Sequence, residues 1–346
     1  MTQLKIAAPS AQKLARKLDL KMVRPNALIW TRRRFGRGFA YYNETGRPIR
    51  DKTIVARLNA LAVPPAYANV NYAADPRAHL QATGRDAAGR LQYRYHADWE
   101  KVREERKAHR LAQFVEALPR IRRRVRRCLS DTRCSREFTL AAVIELVASS
   151  SIRAGSEEYV KQHGTRGATT LLKSNLKMID GRLFLSFRAK GGKRVQREVV
   201  SAPLVAAIEA LQTLPGKRLF QYRDDAGVRA IRAREVNAHL QEIAGTAITL
   251  KDFRTLCASA AVLEELAKVE PASSVRGRKK QVLEAVRSAA DELTNTVAVC
   301  RKSYVHEAVV EAFENGVLED YADALKAARS PAKREQVLAD LVTSRS

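Results

Sequence analysis

Hydrophobic residues repeat with two different periods along this chain, and the change falls near residue 98. Before it the texture is that of short strands. LIW (28–30), GFAYY (38–42) and GRPIR (46–50) are separated by turn residues such as Asn43 and Gly46. Asp51 stands where an N-cap belongs, ahead of IVARLNAL with helical spacing. Pro64-Pro65 is expected to end that helix, because the pyrrolidine ring blocks continuation. HLQATGRDAAGRLQYRYH (79–96) reads as two strands joined by a glycine-containing loop. Residues 1–20 read as a basic lead-in with little to pack.

After Trp99 the period becomes helical. Leu111, Phe114, Val115 and Leu118 fall at i, i+3, i+4 and i+7, a single buried stripe that Pro119 is expected to stop. RIRRRVRRC follows, with six Arg between 120 and 127. Residues 139–149 are apolar enough for a helix buried on most sides. One stretch breaks the helical texture. LKMI (176–179), Asp180-Gly181, RLFLSFR (182–188), AKGGK (189–193) and RVQREVV (194–200) alternate with period two around hairpin turns, Asp-Gly being a strong type I′ signal. This predicts three antiparallel strands, with Lys190 in the second turn. Helices resume after Pro203, and PASSVRGRKK (271–280) reads as a linker. An amphipathic helix through Val282, Val286 and Leu293 follows, then one through Val309, Val310 and Phe313 that Asn315-Gly316 should end. The expected fold class is α+β, with a β-rich N-terminal domain at 1–98 and a mostly α-helical domain with an embedded three-stranded sheet at 99–346.

Charge narrows the function. Lys plus Arg number 63 against 37 for Asp plus Glu, a formal net charge of +26 over 346 residues. Such a field favours a polyanionic partner, nucleic acid before an acidic membrane. The longest apolar stretch, 138–152, is interrupted by Glu145 and serines and is too short to span a bilayer. The N-terminus lacks the apolar region of a secretory signal. Cys128, Cys134, Cys257 and Cys300 show no metal-ligand spacing and read as free thiols of a cytoplasmic, nucleoid-associated protein. There is no Walker loop and no HExxH, so no cofactor and no metal are indicated.

A basic protein without a metal can still act on a phosphodiester. It needs a nucleophile, donors for the nonbridging oxygens and an acid for the leaving oxygen. Arg suits the oxygens because its planar fork stays charged, whereas Lys can give up a proton. Arg153 in SIRAG, Lys190 in its glycine-rich turn, Arg254 in KDFRT, Asn295 in LTNT and Tyr304 in CRKSYVH are the candidates. Taken singly, each has a bland reading: a capping Arg, an exposed Lys, a surface Tyr.

In this order and spacing they resemble the type IB DNA topoisomerases, in particular the compact poxvirus-like branch also found in bacteria. The resemblance runs from about residue 25 to about 325. It includes VPPAY (63–67), TGRDAAGRLQYRYH (83–96), IRAGSEEY (152–159), LSFRAKGGK (185–193), KDFRT (251–255) and AVCRKSYVH (298–306). The resemblance implies that Tyr304 is the nucleophile, forming a 3′-phosphotyrosyl link and a free 5′-hydroxyl. It implies that Arg153 and Arg254 clamp the phosphate and that Lys190 is the acid for the departing oxygen. Asn295 stands where many relatives have His, and it can donate a hydrogen bond but cannot be cationic. Tyr159 would touch a base edge or a phosphate in the major groove, or else simply pack. Lys251 would lie near the DNA backbone. Tyr41, Tyr42, Tyr93 and Arg94 are candidates for the DNA face of the N-terminal domain, and the six-Arg run is read as following phosphate or as a solvated helix face.

The implied activity is relaxation of supercoiled DNA by transient single-strand cleavage, swivelling and religation, without ATP or metal. The expected protein is a monomer forming a positively charged C-clamp around double-stranded DNA. The nearest rival is a tyrosine site-specific recombinase, whose motifs usually carry His three residues before the second Arg and Leu-Gly-His upstream of the Tyr. Here those positions read Lys251 and Leu293-Thr294-Asn295. A DNA-bending architectural protein with a vestigial catalytic set is the rival from outside the enzymes.

Overall fold

Turn residues set the strand pairing of the N-terminal part. The structure, a computed structural model, describes residues 10–131 and 133–344. The chain divides into two compact units, one ending at Lys107 and the other beginning at Ala108. In the first unit, Ser10 caps helix α1 (Ala11–Lys17) through the Lys13 amide. Leu14, Ala15 and Leu20 are buried against Trp99 and Val102. Residues 10–20 are therefore packed rather than a loose lead-in, because Ala11, Leu14, Ala15 and Leu18 form one apolar face of a short capped segment. Residues 1–9 of that segment lie outside the described residues.

Strands β1 (Trp30–Phe35) and β2 (Gly38–Tyr42) form a hairpin through Gly36, whose φ of +54° suits glycine. Helix α2 (Lys52–Ala60) is capped by Asp51, which accepts from the Thr53 and Ile54 amides. It ends at Ala60, ahead of Pro64-Pro65, where Ala62 turns left-handed. Strands β3 (Ala68–Tyr72), β4 (Leu80–Arg85) and β5 (Leu91–Tyr95) complete an antiparallel sheet of order β2-β1-β3-β4-β5.

The segment 46–50 is not a strand. It makes one isolated bridge, Tyr42 to Pro48, since Pro48 has no amide hydrogen to extend a ladder. Tyr41 is not on an outer face either. It is 3 % exposed, meets Tyr72 edge-on at 5.4 Å, and donates to Asn59 Oδ1 at 2.7 Å. Inward alternation along β2 puts it in the small core with Leu58, Val70 and Ala82.

Helix α3 (Trp99–Leu129) runs through Pro119 instead of stopping there. A proline inside a helix costs about 3 kcal/mol. Beyond it, Ile121 and Val125 are buried, and burying such a side chain is worth roughly 1.5–3 kcal/mol each, so continuation wins. Pro119 itself faces outward. Within the six-Arg run, Arg120 donates to the Ala244 carbonyl and Arg122 forks onto Glu335, so these two are engaged by protein.

The second unit is built on one continuous core. Helix α4 (Arg136–Ser150) is buried on most sides and stops at Ser151, which is left-handed. Helix α5 (Glu157–His163) leads to an antiparallel sheet of order β6-β7-β8, formed by Leu176–Ile179, Arg182–Arg188 and Arg194–Glu198. After α6 (Ala202–Gln212) come strands β9 (Gln221–Asp224) and β10 (Gly227–Ala230), a hairpin too short to leave a clear alternation in the sequence. Helices α7 (Ala233–Ala244), α8 (Leu250–Leu266) and α9 (Val275–Glu292) follow. Six of the ten residues of the expected linker are thus helical, because Ser274 caps the Gly277 amide and starts α9 inside it. The unit closes with α10 (Val297–Ser303), α11 (Glu307–Glu314), α12 (Ala322–Ala327) and α13 (Pro331–Thr343). Asn315 and the left-handed Gly316 end α11.

Candidate active site

Arg254 is the best-anchored candidate. It sits one turn into α8, at 3 % exposure. The start of α8 is fixed by Asp252, which takes a fork from Arg110 at 2.6 Å on both oxygens and also accepts from the Thr249 amide. The Arg254 guanidinium donates to the carbonyl of Ser151 and, at 3.1 Å, to that of Leu293. Those residues cap the C-terminal ends of α4 and α9, where helix dipoles present partial negative charge. Burial lowers the Arg254 pKa below the ordinary guanidinium range, but the group remains cationic. Its Nε, also buried, has no hydrogen-bond partner among the described residues.

Tyr304 lies directly beside it. The Arg254 guanidinium carbon is 4.7 Å from the centre of the Tyr304 ring, and Lys251 Nζ is 5.8 Å from it. The ring is 8 % exposed, so Tyr304 is not a surface aromatic. Burial pushes its hydroxyl up, but the charges of Arg254, Arg153 and Lys251 outweigh burial and hold it below the ordinary 10.0. Tyr304 ends α10, and its backbone is pinned from α8: Ser259 Oγ donates to the Tyr304 carbonyl at 3.1 Å and accepts the His306 amide at 3.0 Å.

Arg153 follows the left-handed end of α4 and donates to Asn295 Oδ1. That contact orients the Asn295 amide, whose Nδ2 is buried with no hydrogen-bond partner among the described residues. The Arg153 loop is held from behind. Ala168 donates to the Arg153 carbonyl and Thr169 to that of Ala154, both at 2.8 Å. A Cβ on Gly167 would sit 2.5 Å from the Arg153 carbonyl oxygen, so only glycine fits there. Arg153 and Arg254 line a common cleft with Arg166 and Arg197.

Lys190 is placed differently. It opens the short turn Lys190–Gly192 between β7 and β8, is exposed, and donates to the Tyr159 hydroxyl at 2.9 Å. The structure therefore groups Arg153, Arg254, Asn295, Tyr304 and Lys251, and pairs Lys190 with Tyr159. In the first unit, Tyr93 on β5 is exposed and stacks on Tyr95, while the exposed Arg94 donates to the Ala62 carbonyl at 3.1 Å. Cys257, one turn beyond Arg254, donates to Glu292 at 3.2 Å. Burial pushes its thiol up to about 12, so it stays protonated beside the site. Among the described residues no cluster of His, Cys, Asp or Glu could hold a metal, and no helix is long and apolar enough to cross a membrane.

Sequence reasoning missed Ser151, Gly167 and Ser259. Gly167 left a visible trace, a glycine in GTRGATT just past a helix, but nothing in sequence ties it to Arg153. The two serines act through one backbone or hydroxyl atom each and leave no pattern.

Guanidinium and amide donors converging on a buried phenol make a centre suited to a phosphate ester, and the net charge of +26 suits a polyanion. Comparison with known proteins agrees. Residues 96–331 match the family model described as eukaryotic DNA topoisomerase I, catalytic core. Residues 38–86 match that of the bacterial DNA topoisomerase IB, N-terminal domain. DNA topoisomerase 1B of Acanthamoeba polyphaga mimivirus is 32% identical over 284 residues, covering 80% of this chain and 84% of that relative. The chain belongs to the type IB DNA topoisomerases. It is an enzyme that acts on DNA and relaxes its topology, which decides between the enzyme classes weighed from the sequence.

Proposed function

We propose that this enzyme relaxes supercoiled duplex DNA through a covalent link between Tyr304 and a 3′-phosphate, using neither ATP nor a metal. The observation that carries the reading is the pair of buried donors without acceptors, Arg254 Nε and Asn295 Nδ2, beside a phenol held below its ordinary pKa. Two nonbridging phosphate oxygens would satisfy them. Arg153 would add a second guanidinium and steady Asn295.

The chemistry balances without a cofactor. Tyr304 Oη forms a bond to phosphorus and loses its proton to solvent. The bond from phosphorus to the 5′-oxygen breaks, and Lys190 gives that oxygen a proton. Religation runs the same steps backwards, and because the ester bond energy is kept, no ATP is needed. Positive donors at the phosphate do the electrostatic work that a metal ion does elsewhere. In the DNA-free protein Lys190 rests on Tyr159, so its delivery to the leaving oxygen comes with DNA.

Tyr159, Lys251, Tyr93 and Arg94 are proposed DNA contacts. The exposure of Tyr159, Tyr93 and Arg94 and the position of Lys251 near Tyr304 support this. A monomer acting on duplex DNA is the assembly we propose, since one site suffices for one nick, and the nucleoid is the place. The decisive test is to incubate the protein with supercoiled plasmid in EDTA without ATP, denature, and map the DNA-bearing peptide. Relaxation with DNA on Tyr304 is expected. DNA attached elsewhere, or a requirement for paired recombination sites, would reject the mechanism.

A further inference from the structure

Asn295 stands on a turn closed by its own backbone, the Thr294 amide donating to the Asp291 carbonyl at 3.0 Å and the Asn295 amide to that of Ala290 at 2.8 Å, and neighbouring side chains add to that closure. Thr294, the residue before it, has φ of +54°, a left-handed conformation that is costly for a β-branched side chain. The turn follows the end of α9, where the helix dipole leaves partial negative charge. Two cations from one neighbouring strand region meet it. Lys193 Nζ donates to the Asn295 carbonyl at 2.9 Å. Arg197, on β8, donates to the Glu292 carbonyl and to Thr294 Oγ1, the latter at 3.2 Å. Both belong to the hairpin whose turn carries Lys190, Lys193 directly after that turn and Arg197 further along β8.

We infer that Lys193 and Arg197 are positioning residues: they bolt the Lys190 hairpin to the 292–295 turn and so fix the direction of the Asn295 amide. The inference rests on the phosphate-donor role proposed for Asn295. Charge placement supports it for Arg197, which sits on the Glu292 carbonyl at the C-terminal end of α9, where its charge is favourable. Geometry supports it too, because Asn295 Oδ1 is held by Arg153 from one side while its backbone is held by Lys193 from the other. A small rotation of an amide donor is enough to lose a transition-state hydrogen bond.

The test is a double-mutant cycle on the full chain. Single-turnover cleavage of duplex DNA is measured for wild type, Lys193→Ala, Asn295→Ala and the double variant, alongside DNA affinity at fixed salt. Lys193→Ala is expected to slow cleavage by roughly tenfold with affinity unchanged, Lys193→Arg to restore most of it, and the double variant to be no slower than Asn295→Ala. Losses that multiply in the double variant, or a loss confined to affinity, would overturn the tie while leaving Asn295 in its role. Wild-type cleavage by Asn295→Ala would instead remove the underlying reading, and the tie with it. Should Lys193→Ala melt early, Arg197→Ala, which removes both contacts to the turn, takes its place in the cycle, and the same outcomes support or overturn the tie.

Discussion

Arg254 and Lys190 carry the same charge, yet the chain sets them in opposite surroundings. Arg254 is buried one turn into α8 and grips the carbonyls of two helix ends. Lys190 is exposed on a turn of three residues, Lys190–Gly192, and leans on one tyrosine hydroxyl. A group that binds developing charge works best when fixed beforehand. A group that hands over a proton must reach an atom that arrives with the substrate. The contrast teaches that the core supplies the phosphate-holding half of the proposed site and the surface supplies the acid.

The strongest way to break this picture is at the residue both halves serve. Tyr304→Phe should abolish relaxation and adduct formation, a loss of roughly 10⁴-fold or more, read on supercoiled plasmid. Residual relaxation at wild-type rate would mean that another group is the nucleophile. Next comes the buried half. Arg254→Ala should slow cleavage by about 10²–10³-fold and also lower the melting temperature, since two carbonyls lose their donor. A pure stability effect with normal cleavage would make Arg254 structural only.

The exposed half should fail selectively. Lys190→Ala should slow cleavage by roughly 10²-fold with an ordinary 5′-oxygen, and far less with a 5′-thio leaving group, which needs no acid. Equal slowing for both would take proton delivery away from Lys190. Gly167→Ala tests how rigid the Arg153 loop must be. It forces a Cβ to within 2.5 Å of the Arg153 carbonyl, and should cost about 1–3 kcal/mol of stability, read by denaturant unfolding. The smallest effect is electrostatic. Removing the Lys251 charge favours the neutral phenol, so Tyr304 should titrate higher and the rising limb of cleavage against pH should move to higher pH. An unmoved limb would separate Lys251 from the nucleophile.

Legibility in the sequence followed the strength of local signals. The 176–198 sheet was readable because Asp180-Gly181 and the alternation of Leu183, Leu185 and Phe187 agree with each other. The end of α11 was readable from Asn315-Gly316. Strand β3 was not, since only Val70 and Tyr72 of its five residues are buried and two asparagines interrupt the pattern. Pro119 misled because a local rule was outweighed by tertiary burial of the residues beyond it. Within the site, the sequence pointed to residue types that carry charge or a nucleophile. It could not point to Ser151, whose contribution is a backbone carbonyl, or to Gly167, whose contribution is the absence of a side chain.

Ser259 has a consequence beyond packing. Its single hydroxyl ties the main chain on both sides of Val305 to the helix that also bears Arg254. A severed strand esterified to Tyr304 would therefore be leashed to the same rod that grips its phosphate. While the other end spins, the cut could not wander from the place where it must be sealed.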